Sequence, residues 1–333
     1  MRWGLIGASR IAKRICSALG NIGDQQLVGV CSRSEERGRA FAAEQGVAKS
    51  YTDVAEMLAD CRPEAVYVSS TNDQHAAQTL AALGAGCHVL CEKPLAVRLE
   101  DAMAMVRKAA AKGRVLGTNH HLRGSLAHQR LRDLLAAGVV GRVHAVEVVH
   151  AVNLPTTPHG WRLNQPDAGG GVVLDIFTHD IDLLRYLLQV EPVAIQSEVQ
   201  HNGLTQEGLE DSVMSLVTFA DGTLAHLYES FVAPHAPTRL DVLGTRGMLS
   251  CVQSLTASGV PEITLHTEQG KQAIPVDRND LHLASVQAFV AACAGHGTPL
   301  STGEDGMRAV AAAQAALQAA HHGRRQAIAQ PVC

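Results

Sequence analysis

Val89-Leu90-Cys91-Glu92-Lys93-Pro94-Leu95 reads as a buried strand that runs straight into a charged pair and a proline. Val89, Leu90 and Cys91 suit a strand covered on both faces, and Pro94, with no N–H to give, stops the ladder. Glu92 and Lys93 therefore fall at a strand's C-terminal edge, where an open α/β sheet binds its ligands. A solvated Glu-Lys pair in a turn fits the same seven residues. The segments on either side decide between the two.

Upstream, Trp3-Gly4-Leu5-Ile6 is a short apolar run ending in Gly7-Ala8-Ser9-Arg10-Ile11-Ala12, and residues 11–19 have helical spacing. Set against G-x-G-x-x-G/A, Gly7 and Ala12 match the outer positions and Ser9 replaces the middle glycine. Such a loop presents the N–H groups of a helix N-terminus to a pyrophosphate, although a structural glycine turn fits the bare pattern as well. A second strand over residues 26–31 is followed by Ser32-Arg33-Ser34, with Arg37 one turn on. An NAD site places a carboxylate there, on the ribose 2′-OH. Here the arginines and hydroxyls suit a 2′-phosphate, and NADP is the expected cofactor. Glu35 and Glu36 lie among these arginines, so ordinary surface charge is the competing account.

Residues 65–69 form a buried strand leading to Ser70-Thr71-Asn72-Asp73-Gln74-His75, whose polar groups are placed to cap a helix over 76–83. After the strand at 87–91 come a helix near 99–111 and a strand at 115–118 ending in Asn119-His120-His121. Strands alternating with helices at this spacing predict right-handed βαβ units and a doubly wound parallel sheet. The polar loops at Ser9, Ser32–Arg33, Thr71–His75, Glu92–Lys93 and Asn119 then converge on one side of it.

Past Arg123 the pattern changes. A helix over 127–137 and an alternating strand over 142–152 lead to Gly160-Trp161-Arg162-Leu163 and then to Gly169-Gly170-Gly171. Helical periodicity over 173–188 puts Asp175 and His179 at i and i+4, with Asp182 a turn later. That pair suits a general acid/base with its orienting carboxylate, two metal ligands, or a plain helix pair. No third ligand and no H-E-x-x-H is evident, so no metal is expected. The glycine triplet points to close approach by a ligand or another element. Strands expected at 193–199, 211–219, 223–231, 239–243, 248–252 and 263–267 are joined by short turns, which predicts a mainly antiparallel open sheet in an α+β domain. Its free face or edge would invite homo-oligomerisation. The tail is an alanine-rich helix over 303–320, and the polar end from His321 is expected to be loose.

At 333 residues the chain is long enough for two domains, assigned here to 1–122 and 123–333. A net charge of −4 and 3% aromatic residues exclude nucleic acid and anionic membranes as natural partners. The eight cysteines form no C-x-x-C pair, and no signal peptide or bilayer-length apolar run is evident. A soluble cytoplasmic protein with reduced thiols is the expectation.

The ordered set of Gly7–Ala12, Thr71-Asn72 with His75, Glu92-Lys93-Pro94, and G-G-G followed by Asp175-x-x-x-His179 resembles the Gfo/Idh/MocA oxidoreductases over nearly the whole chain. The resemblance implies hydride transfer between NADP(H) and a small sugar, in the direction of keto-sugar reduction. It implies cofactor contacts at Ser9, Arg10, Ile11, Ala12, Ser32, Arg33, Arg37, Ser70, Thr71, Asn72, Asp73, Gln74, His75, Glu92, Lys93, Asn119, Trp161 and Arg162. Leu281-His282 stands where relatives carry a tyrosine at the cofactor, which makes His282 the candidate for that contact. The implied catalytic set is Lys93 polarising the carbonyl, His179 supplying the proton and Asp175 orienting it. A sugar or inositol dehydrogenase using NAD(P)+ fits the same residues. A non-catalytic NADP(H)-sensing regulator would be expected to lack the lysine or the histidine.

Overall fold

A computed structural model describes residues 1–154, 160–206, 208–236 and 238–333 of the chain. They divide into two compact units, Met1–His121 with His282–Met307 and Cys333, and Leu122–Leu281 with Arg308–Val332.

The first unit is built on six parallel strands: β1 (Arg2–Ile6), β2 (Gln26–Cys31), β3 (Ser50–Tyr51), β4 (Ala65–Val68), β5 (His88–Cys91) and β6 (Leu116–Thr118). Their order, β3-β2-β1-β4-β5-β6, is that of a doubly wound Rossmann sheet. Every residue of β4 is buried, as a strand covered by helices on both faces requires. Two helices that the sequence pattern leaves undefined, Glu35–Glu44 and Val54–Cys61, complete the crossovers.

Helix Leu281–Cys293 also belongs to this unit from His282 onward, whereas the expected division at residue 122 placed it with the second domain. The physical reason is a shared core. Val286 and Phe289 are fully buried with Trp3, Leu5, Tyr67 and Leu90. The Phe289 and Trp3 rings lie 5.6 Å apart, and a Cβ on Gly117 would come within 3.1 Å of the Phe289 ring. Burying a side chain of that size contributes roughly 1.5–3 kcal/mol.

The second unit carries a nine-stranded sheet: β7 (Val143–Ala151), β8 (Pro192–Gln200), β9 (Ser212–Phe219), β10 (Leu224–Ser230), β11 (Arg239–Gly244), β12 (Gly247–Val252), β13 (Glu262–Thr267), β14 (Gly270–Ile274) and β15 (Gln326–Ala327). Its order is β14-β13-β12-β11-β7-β10-β9-β8-β15. Every neighbouring pair is antiparallel except β7–β10, which is parallel. Alternation along β9 and β10 leaves Met214, Leu216 and Leu224 exposed on the outward face.

The chain end is not loose. Gln326 and Ala327 pair with Ile195 and Ala194 of β8, the Ile328 N–H donates to the Val193 carbonyl, and the Ile328 side chain is buried. An otherwise open sheet edge gains backbone partners and an apolar contact, which outweighs the polar composition of the last residues. Among the described residues no helix is long and apolar enough to cross a membrane.

Candidate active site

In the first unit, Gly7 has φ +104°, and a Cβ there would lie 2.6 Å from the Ser69 backbone. Only glycine fits. Ser9 then does work that a second glycine would not. Its hydroxyl donates to Ser69 Oγ (2.9 Å) and accepts from the Ala12 N–H (3.1 Å), capping helix Arg10–Gly20. The anion-binding end of that helix is thereby fixed beside Arg10, Ile11 and Ala12.

Past β2, Ser32 is buried and Ser34 caps helix Glu35–Glu44 by accepting from the Arg37 N–H. Glu35 pairs with Arg39 one turn on in this helix. Arg37 donates to the Ala8 carbonyl at 3.3 Å, joining this segment to the glycine loop, and Arg33 is exposed.

No side-chain bond caps the helix after β4, contrary to expectation. A 3₁₀ turn, Asn72–Gln74, runs directly into helix His75–Gly84, and backbone groups supply the partners. Thr71, Asp73 and Gln74 line that turn, Ser70 donates to Gln78 at 2.6 Å, and His75 is buried with Nδ1 2.8 Å from the Pro94 carbonyl. His75 thus tethers the segment that carries Lys93.

Glu92 is not a solvated partner of Lys93 but a buried carboxyl. It accepts from the Tyr67 hydroxyl and from Asn119 Nδ2 (2.5 Å), and Asn119 Oδ1 accepts from Ser285 at 2.8 Å. Burial raises the Glu92 carboxyl above its ordinary range, against the lowering effect of Asn119, Tyr67 and Lys93. Lys93 itself is half-buried. His282 is buried with its ring 4.6 Å from that of His121, and burial, with the charges of His282, Lys93, His120 and Arg14, pushes His121 well below the usual histidine range. The first unit therefore gathers Gly7, Ser9, Ser32, Arg37, Ser70, Asn72, His75, Glu92, Lys93 and Asn119 at or just past strand ends, with His282 on the added helix. These residues fit a dinucleotide: a capped helix end for pyrophosphate, and Ser32-Arg33-Ser34 rather than a carboxylate directly after β2.

The second unit holds Trp161, Arg162, Asp175 and His179. The expected regular helix over 173–188 begins instead as a π-turn, Val173–Phe177, which carries Asp175, before α-helix Thr178–Leu188, which carries His179. Asp175 accepts from Arg162 Nε at 3.1 Å, and the Arg162 guanidinium lies 4.5 Å above the Trp161 ring. The glycine triplet serves another protein element. A Cβ on Gly170 would lie 2.8 Å from the Arg162 carbonyl, and one on Gly171 2.3 Å from Glu210 Oε1. Glu210 is buried and accepts from the Val173 N–H at 3.0 Å, so it holds the start of the segment bearing Asp175. Burial raises its carboxyl above the ordinary range. Asp182 points elsewhere, into a buried bidentate pair with Arg123. Tyr67, Ser285 and Glu210 escape a sequence reading because each is an ordinary residue type made relevant only by burial beside a site residue. Among the described residues no cluster of three or more His, Cys, Asp and Glu is arranged for a metal.

Comparison with known proteins agrees with the fold. Residues 1–120 match the oxidoreductase family with an NAD-binding Rossmann fold, and residues 128–250 match the GFO/IDH/MocA C-terminal domain. The chain is 46% identical to 1,5-anhydro-D-fructose reductase from Ensifer adhaerens, covering 97% of each protein. It is 28% identical to D-glucoside 3-dehydrogenase from Escherichia coli (strain K12), covering 98% of this chain and 97% of that one. A solved aldose-aldose oxidoreductase from Caulobacter crescentus shares the fold with a TM-score of 0.89 at 22% identity, covering 98% and 99% of the two chains. The chain belongs to the Gfo/Idh/MocA oxidoreductase family.

Proposed function

We propose that this protein is an NADPH-dependent reductase of a keto-sugar, converting 1,5-anhydro-D-fructose to 1,5-anhydro-D-mannitol. The observation that carries the substrate is the 46% identity over 97% of the chain with a reductase of that sugar. The cofactor rests on Ser32-Arg33-Ser34 and Arg37, which put hydroxyls and guanidinium groups where an NAD site places its carboxylate directly after β2. Bound NADPH supplies a hydride. Lys93, as an ammonium, hydrogen-bonds the substrate oxygen on which negative charge develops. His179 gives that oxygen a proton, and Asp175 orients the substrate hydroxyls and the ring. Ser9, Arg10, Ile11 and Ala12 hold the pyrophosphate, with Ser70, Thr71, Asn72, Asp73, Gln74, His75, Glu92, Asn119, Trp161, Arg162 and His282 as further cofactor contacts. The outward face bearing Met214, Leu216 and Leu224 is the surface for self-association.

Pure protein with NADPH and 1,5-anhydro-D-fructose is expected to oxidise NADPH, read as falling absorbance, and to turn over poorly when NADH replaces NADPH. Turnover only with NAD(P)+ and a glucoside or inositol would instead favour a dehydrogenase, the reading suggested by the 28% identity with D-glucoside 3-dehydrogenase. Arg33→Ala is expected to weaken NADPH about ten- to hundredfold and NADH little, because one charge-assisted phosphate contact is lost. Equal weakening of both cofactors in fluorescence titrations would remove the 2′-phosphate from the role of Arg33.

A further inference from the structure

Three buried groups of the second unit take no part in the chemistry above. Asp180 follows His179 directly in helix Thr178–Leu188 and is 1% exposed. His150 of β7 directs Nδ1 at both of its oxygens, at 2.9 and 3.0 Å. Glu229 of β10 is the register partner of His150 and is 0% exposed. Its carboxyl lies within hydrogen-bonding reach of the Asp180 carboxyl. No side chain among the described residues donates to either Glu229 oxygen, and its own backbone N–H acts on the carboxyl only weakly.

Other neighbours do not change that balance. Val213 of β9 is the opposite register partner and is uncharged. The turn Val173–Phe177, packed on β10, carries Asp175, which is bound to Arg162. Near His150 lies His128 of helix Leu126–Ala136, whose ring burial holds down to about 4. Two carboxylates side by side in a dry site cannot both stay charged, so one must carry a proton. Asp180 has an imidazole to stabilise its charge and Glu229 has none. Burial, reinforced by the Asp180 charge, accordingly pushes the Glu229 carboxyl well above the ordinary range.

We propose that Glu229 is a neutral carboxylic acid that donates its proton to Asp180, and that Glu229, Asp180 and His150 form a positioning set for the helix turn that presents His179. Its functional meaning rests on the reading of His179 as proton donor, whereas the protonation itself does not.

E229Q keeps a donor but cannot ionise. Below the unfolded-state value of a glutamic acid, both the folded and unfolded wild-type chains hold the proton. Above it the unfolded chain releases the proton and the folded chain keeps it, so wild-type stability falls relative to the variant. The ratio of unfolding constants, wild type over E229Q, is expected to rise about tenfold per pH unit from about pH 4.5 upward. A ratio that does not change with pH overturns the proposal. At pH 7 the wild type is expected to show the infrared C=O band of a protonated carboxylic acid, absent from E229Q, and a wild type without that band also overturns it. For the positioning half, ring NMR of His179 is expected to shift its titration in E229L and return towards wild type in E229Q. An unshifted His179 in E229L refutes positioning. None of these readouts requires turnover, so a failure of the reductase assay would count against the proposed function and not against Glu229.

Discussion

Lys93→Met is expected to lower kcat by about two to three orders of magnitude while leaving the KM for NADPH within about threefold, as loss of a donor to a developing oxyanion does. Methionine keeps the length and apolar stem of lysine and removes only the ammonium, so the comparison isolates charge. The fold has little reason to respond. The tight network at this strand end is built on Glu92, which Tyr67 and Asn119 hold from one side and Ser285 from behind Asn119. The His75 bond to the Pro94 carbonyl fixes the backbone that follows. Steady-state kinetics with NADPH and 1,5-anhydro-D-fructose, together with fluorescence titration of the cofactor, measure the two quantities separately. Unchanged turnover would take Lys93 out of the mechanism. A parallel collapse of cofactor affinity would make it a binding residue.

The largest stability effect is expected at Arg123. Its guanidinium meets Asp182 through Nε–Oδ2 at 2.8 Å and Nη2–Oδ1 at 2.7 Å, and the side chains are 7% and 1% exposed. Arg123→Ala leaves a buried carboxylate without its bidentate partner, which costs about 3–5 kcal/mol. Arg185 approaches the same carboxylate only at 3.8 Å and is already engaged by Glu191 at 2.7 Å, so it offers limited relief. Urea unfolding of the second unit's signal is the measurement. The double change Arg123→Met with Asp182→Leu removes both charges and is expected to recover much of the loss, since an apolar pair of similar volume often replaces a buried ion pair at little cost. A single-variant cost below about 1 kcal/mol would place this pair with ordinary surface bridges.

The parallel sheet was legible because its strands are continuous apolar runs that end in polar loops. Val89–Cys91 before Glu92 and Ala65–Val68 before Ser70 need no long-range information to be recognised. The second sheet followed from alternation. Three features depend on partners that sequence spacing does not reveal. Helix Leu281–Cys293 joins the first unit because Phe289 meets Trp3, a contact between residues nearly 290 positions apart. The π-turn at Val173–Phe177 follows Gly171, which is held against Glu210, a residue without any motif around it. The chain end is ordered by backbone pairing to β8, which its polar composition hides. At the site itself, residue types identified Glu92 and Asp182 as charged. Only burial showed that Glu92 is a scaffold for its neighbours and that Asp182 belongs to an ion pair.

The late arrival of His282–Met307 in the first unit sets a schedule for synthesis. When residue 121 leaves the ribosome, the nascent sheet already has all six strands but lacks the aromatic ring that covers Trp3 and Gly117. At translation speeds of about 5–20 residues per second, that flank waits roughly ten to thirty seconds for Phe289. A nascent chain of this design leaves that apolar flank uncovered through about half of its elongation, and its nucleotide half matures only as roughly the last tenth of the polypeptide is made.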